Sequence, residues 1–150
     1  MALQKVRHYC AYQERSHAEV RQKLYGYGLW KDDVEAMMAL LITEDYLNEE
    51  RFAIAYAGGH FRVKHWGRIK IRYELRQKQV SEYNIKRGLE SIDEEDYLKV
   101  LTSLVKEKWN SIRHADQTDF IRSVKTQAYL IQKGFEADLV QSTIRLICQK

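Results

Sequence analysis

One apolar pattern occurs three times in this chain, and it limits the fold more than any other feature. Leu24 is followed by Leu29, Val34, Met38 and Leu41; Leu75 by Val80, Ile85, Leu89 and Ile92; Leu130 by Phe135, Val140, Ile144 and Ile147. In all three copies the spacings from the first leucine are 5, 10, 14 and 17 residues, and the copies start 51 and 55 residues apart. The later steps place apolar side chains on one face of a helix, whereas alternation, the mark of a half-buried strand, is missing. Repetition at this length signals a tandem array of similar modules. Each copy reads as two helices that meet at an angle across a short turn, with room before it for a third helix that covers their apolar faces. In outline this is a helix-turn-helix unit. The 150 residues contain no proline, a residue that helix interiors exclude. The fold expected is therefore all-α: three tandem three-helix modules, at 1–44, 45–92 and 93–150, stacked as an elongated, curved solenoid.

Local signals punctuate the modules. Gly28-Leu29 and Gly134-Phe135 read as C-terminal turns of helices, where glycine accepts the left-handed conformation. In the middle copy that position is Gln79, so the turn there is made under strain or in another form. Ser16 and Ser81 are suited to cap helix N-termini, and Ser16 with Glu19 fits a capping box. Asp32-Asp33, Glu49-Glu50 and the run Asp93 to Asp96 suit the positive end of a helix dipole.

Charge is unevenly placed. The formal net charge is only +4, and residues 1–44 balance to zero. Between 62 and 87, however, nine bases (Arg62, Lys64, Arg68, Lys70, Arg72, Arg76, Lys78, Lys86 and Arg87) face only Glu74 and Glu82, a local charge of +7. Such a zone suits nucleic acid, an acidic protein surface or an anionic membrane. Membrane is the weakest of the three, since no run approaches the length of a span and no signal peptide opens the chain. On a helix from about Gly67 to Lys78, Ile71 and Leu75 point inward and Arg68, Arg72 and Arg76 form an adjacent stripe. Their attachment points rise about 6 Å per step, close to the phosphate spacing of a nucleic-acid strand. Carboxylates on a protein would suit them equally, and a plain solvated face is the alternative. On that basis, joint removal of the three arginines is expected to spare the fold. Trp66 and Phe61 stand among these bases; aromatics there can stack on exposed bases, but at helix junctions they more often belong to the core.

Catalytic constellations are weak. Cys10 and Cys148 lie far apart in apolar settings without zinc-ligand spacing, and are expected to be reduced and buried, although the sequence leaves their pairing open. His60 and His65, five apart, diverge too far on a helix to share a metal. Gly58-Gly59 lacks the Lys-Ser/Thr of a phosphate-binding loop. No nucleophile has an evident base. The expectation is a protein that is not an enzyme and takes no cofactor or metal.

Several segments resemble one family. Glu14-Arg15-Ser16, followed by an amphipathic helix ending at Leu24, is similar to the opening module of the RecX regulators of recombination. Tyr46 to Ala53 resembles that family's marker, an acidic pair before Arg-Phe-Ala, with Asn48 at its first acidic position. Trp66-Gly67-Arg68-Ile69-Lys70 with Glu74 to Lys78, and Tyr129-Leu130 with Lys133-Gly134-Phe135, resemble its later motifs, Gln79 replacing the glycine of the middle turn. The resemblance extends from about Val6 to Ile147. It implies a cytoplasmic, monomeric bacterial protein of DNA repair and the SOS response, which binds the RecA–DNA filament along its groove. Filament growth, strand exchange and ATP hydrolysis would be limited by it, and single- or double-stranded DNA would be bound weakly and with salt sensitivity. The alternative reading of the residues is an autonomous helical DNA-binding module.

Overall fold

The computed structural model describes residues 1–112 and 118–148; positions 113–117 and 149–150, which the third expected module takes in, lie outside the described residues. Among the described residues there are nine α-helices and no strand. In chain order they are α1 (Ala2–Tyr12), α2 (His17–Gly26), α3 (Lys31–Thr43), α4 (Glu49–Lys64), α5 (Arg68–Gln77), α6 (Glu82–Glu90), α7 (Glu94–Ser111), α8 (Asp119–Gln132) and α9 (Ala137–Ile147). The all-α expectation holds.

The helices begin where short polar side chains satisfy backbone donors that have no intrahelical acceptor. Ser16 accepts from the Glu19 N–H while Glu19 accepts from the Ser16 N–H, which completes the capping box of α2. Ser81 caps α6 through the Asn84 N–H, and Asp93 caps α7 through the Asp96 N–H. The acidic pairs at 32–33 and 49–50 fall in the first turns of α3 and α4.

The three repeat turns share one backbone geometry. Gly28, Gln79 and Gly134 have φ of +85°, +62° and +98°, all in the left-handed region. At the middle and last turns the following residue closes the helix, with Val80 N–H donating to Leu75 O and Phe135 N–H to Leu130 O, each at 3.1 Å. The middle turn therefore takes the same form as the others, under the strain of a side chain. Of the fifteen repeat positions all but Leu29 and Ile147 are buried, and those two are half-buried. Each fully buried aliphatic side chain contributes about 2 kcal/mol relative to exposure.

Packing divides the chain into two compact units, residues 1–58 with 73–91 and residues 59–72 with 92–150, the divisions falling inside α4 and α5. In the first unit α1 lies on α2, and α2 on α3. Val6, Cys10, Val20, Leu24, Val34, Met38, Leu41 and Leu47 form its buried cluster. There α6 reaches α4 backbone to backbone at Gly88, where a Cβ would stand 2.7 Å from the Ala53 carbonyl oxygen. In the second unit α7, α8 and α9 pack against one another. Tyr97 lies between Phe61 and Phe135, its ring centroid 5.7 and 5.2 Å from theirs. The start of α5 is seated on the α8–α9 turn: Gly67 N–H donates to Lys133 O at 2.8 Å and Ile69 N–H to Gly134 O at 2.9 Å. Cys10 is buried as expected, whereas Cys148, at the end of α9, is only half-buried; both are free thiols.

Candidate functional site

The basic segment is distributed over both units, and its side chains differ in how far they are committed to the protein's own acids. In the second unit, Arg62 and Lys64 occupy the last turn of α4, where cations complement the helix dipole. The chain then turns through His65 (φ +55°), whose N–H donates to Phe61 O at 3.0 Å. This tight turn presents Trp66 to both neighbouring helices. Lys64 Nζ lies over its ring at 5.3 Å, Lys70 Nζ at 4.6 Å, and the His60 ring is 4.7 Å away. Lys133 joins them, its ammonium donating to the Lys64 carbonyl at 3.3 Å. The indole attracts the ammonium groups through its π face and lowers the cost of crowding them. Phe61 belongs to the core, while Trp66 is half-buried, a support for the cations more than a core residue.

Arg68 stands apart from its neighbours. Its side chain is only 20% exposed and pairs with Glu136 at 2.9 Å and with Glu94. The guanidinium lies 3.7 Å from the Tyr97 ring centroid, and the Arg68 N–H donates to the Tyr97 hydroxyl, which donates in turn to Glu136. Burial, reinforced by the Glu136 hydrogen bond, pushes the Tyr97 pKa far above its ordinary value, so the hydroxyl stays a donor. Arg68 is thus tied into the protein, whereas helical spacing placed it in a stripe whose removal is expected to spare the fold. Deleting the Arg68 side chain would leave the largely withdrawn Glu136 carboxylate without its cation and strip the guanidinium from the Tyr97 ring, while the backbone N–H bond to the tyrosine hydroxyl would remain. Arg62 and Arg72, by contrast, are exposed and have no carboxylate partner among the described residues.

In the first unit, Arg76 pairs with Glu82 at 2.6 Å, Arg87 with Glu50 at 3.0 Å and Lys78 with Glu19 at 3.8 Å. Lys86 is exposed and has no such partner among the described residues. The Arg76 and Arg87 pairs are exposed, and such pairs are worth about 0–1 kcal/mol and open readily to a stronger anion, whereas Lys78 and Glu19 are half-buried. Lys133 was missed by the count of local charge because 69 residues separate it from Lys64. Tyr97 and Glu136, which hold Arg68, were missed for the same reason.

Comparison with known proteins gives a consistent answer. The pattern of the RecX second three-helix domain matches residues 48–89, and that of the RecX third three-helix domain matches 94–144. The regulatory protein RecX of Pelodictyon phaeoclathratiforme is 30% identical over 135 residues, covering 89% of this chain and 81% of that protein. The regulatory protein RecX of Clostridium perfringens (strain 13) is 30% identical over 131 residues, or 87% of this chain and 61% of its own length. The chain thus spans about three fifths of the length of the Clostridium relatives it matches. The crystal structure of RecX from Lactobacillus salivarius has the same fold, with a TM-score of 0.89 at 20% identity over 99% of this chain and 96% of that one. A further RecX crystal structure gives 0.83 at 23% identity, over 99% and 70%. With two domain patterns in chain order and a relative matched over most of both lengths, this chain belongs to the RecX family of regulatory proteins.

Proposed function

We propose that this chain is a non-catalytic regulator that binds the RecA–DNA filament and inhibits filament extension, strand exchange and ATP hydrolysis. The observation that carries the proposal is the set of exposed cations without an acid partner among the described residues, Arg62, Arg72 and Lys86, in a member of a family named for regulation. A nucleoprotein filament offers phosphates and protein carboxylates together, and arginine binds both through paired, charge-assisted hydrogen bonds. Lys64 and Lys70 on the Trp66 ring supply further positive charge. Arg76, Lys78 and Arg87 contribute once their surface partners are displaced, and Arg68 acts by holding the start of α5 in place. The modules in this reading are residues 1–44, 45–92 and 93–150, in keeping with the domain matches at 48–89 and 94–144. The protein works in the cytoplasm as a monomer, without cofactor or metal. No described helix is long and apolar enough to cross a membrane.

The test is DNA-dependent ATP hydrolysis by the cognate RecA on preformed filaments, with this protein titrated from far below to above stoichiometry. A fall in rate well below one protein per RecA is expected, because one bound regulator interrupts a filament that grows from its end. An unchanged rate at excess overturns the proposal. If salt-sensitive binding to free DNA persists in that case, the chain is an autonomous DNA-binding module.

A further inference from the structure

Charge counting assigns no ligand to residues 1–44, where acids and bases cancel. Folding sorts those charges. Five of the arginines in the first unit hold a carboxylate: Arg7 with Glu44, Arg21 with Glu35, Arg51 with Glu14, Arg76 with Glu82 and Arg87 with Glu50. Arg15 is the exception, with no acid partner among the described residues. Its Nε donates to the Tyr9 carbonyl at 3.1 Å, and its guanidinium lies 3.8 Å from the Tyr9 ring centroid and 5.9 Å from that of Tyr12. Lys23 Nζ is 5.0 Å from the Tyr9 ring and 5.9 Å from Tyr27, and Lys5 Nζ is 5.8 Å from Tyr27. These three cations, with His8 and the three tyrosines, line an open depression of about 340 Å³ whose walls contain no acidic side chain. A second hollow of about 440 Å³ shares Tyr9, Lys23 and Tyr27 and carries Glu19 on its lining.

We propose that this depression is a nucleotide site, which stacks an aromatic base against Tyr12 and Arg15 and holds the attached phosphate with Lys5 and Lys23. Tyr9 and Tyr27 pack against the buried cluster, so their rings are fixed supports for the cations. Tyr12 is 75% exposed, a large aromatic surface left in water in the same lining as three cations that have no acid partner among the described residues. Bases stack on tyrosine rings and on guanidinium planes alike, and both surfaces are present together here. The volume lies at the small end of the range of about 300–1,000 Å³ typical of small-ligand pockets. An acidic peptide would neutralise the cations but offer no flat partner for the rings. A duplex keeps its base faces stacked internally. The ligand chemistry is therefore an accessible base joined to phosphate, from a single strand or a free nucleotide. The proposal does not depend on filament binding.

Its test is binding of a labelled short oligothymidylate to the full chain, with thymidine monophosphate as competitor. Tyr12→Ala, an exposed change checked by circular dichroism, is expected to weaken oligonucleotide binding about tenfold. Lys5→Gln with Lys23→Gln is expected to lower the slope of log affinity on log salt by roughly 0.7, the one single-strand phosphate that the two lysines hold together. Competition by the mononucleotide assigns the site to free nucleotides, and its failure while the oligonucleotide binds assigns it to a strand. Unchanged binding by both variants overturns the proposal. So does equal affinity for an abasic sugar-phosphate chain or a polyglutamate peptide, since either would make this a surface for anions alone. Neither result would alter the outcome of the RecA ATPase titration, so failure here and failure of the regulatory reading are separable.

Discussion

Gln79 occupies the position that glycine takes in the other two repeat turns, at φ +62° against +85° and +98°. A side chain in the left-handed region costs roughly 1–2 kcal/mol, and glycine returns part of that advantage through its freer unfolded chain. Gln79→Gly is therefore expected to stabilise the protein by about 1 kcal/mol, read from chemical denaturation. The position was legible from the three copies set in register; the sign of φ was not, because another turn form would also have served. His17 is a second residue at which the fold bears a local cost. Its ε2 nitrogen is buried without a hydrogen bond, and burial holds its pKa below the ordinary value, aided by Arg21 and opposed by Glu49. The fold thus favours the neutral ring. This contribution is present above the unfolded value near pH 6.5 and is lost as pH falls through the lower folded value. Denaturation midpoints should drop from about pH 7.5 to about pH 5, and His17→Gln should flatten that drop. An equal drop in the variant would place the titration elsewhere.

At the scale of an element, α5 shows how far periodicity reaches. Its inward positions, Ile71 and Leu75, are fully buried as the helical spacing requires. What seats the helix was not legible, since it depends on a turn in another part of the chain. A Cβ at Gly67 would stand 2.3 Å from the Gly134 carbonyl carbon and oxygen, and one at Gly134 equally close to the Lys70 Cβ. Two glycines let backbone lie on backbone, which makes the hydrogen bonds from Gly67 and Ile69 possible. Gly67→Ala is expected to destabilise by about 3 kcal/mol, because the obstacle is main chain and cannot rotate aside. Gly59→Ala, inside α4 with open space around its Cβ position, should instead stabilise by about 1 kcal/mol. Thermal denaturation of the two variants side by side checks the contrast, and similar shifts for both would refute the close-packing account.

For the whole molecule the governing quantity is which charges remain available to a partner. Residues 62–87 carry nine bases, but Arg68, Arg76, Lys78 and Arg87 already meet carboxylates. Arg62→Ala with Arg72→Ala should leave the thermal midpoint unchanged while weakening binding to the filament and to DNA. On single-stranded DNA the slope of log affinity on log salt should fall by roughly 1.4 if both arginines meet phosphate. Unfolding of the double variant would make these residues structural, and unaltered binding would make them a solvated face. The helices, their caps, the turn positions and the thrice-repeated core pattern follow from the sequence, because each depends on side chains within about a turn of one another along the chain. The pairing of Arg68 with Glu136, the approach of Lys133 to Lys64 and the gathering of Lys5, Arg15 and Lys23 around three tyrosines were decided only in the tertiary structure. Charge is additive along a sequence, but its availability depends on neighbours in space, and for Arg68 the decisive neighbour is 68 residues away.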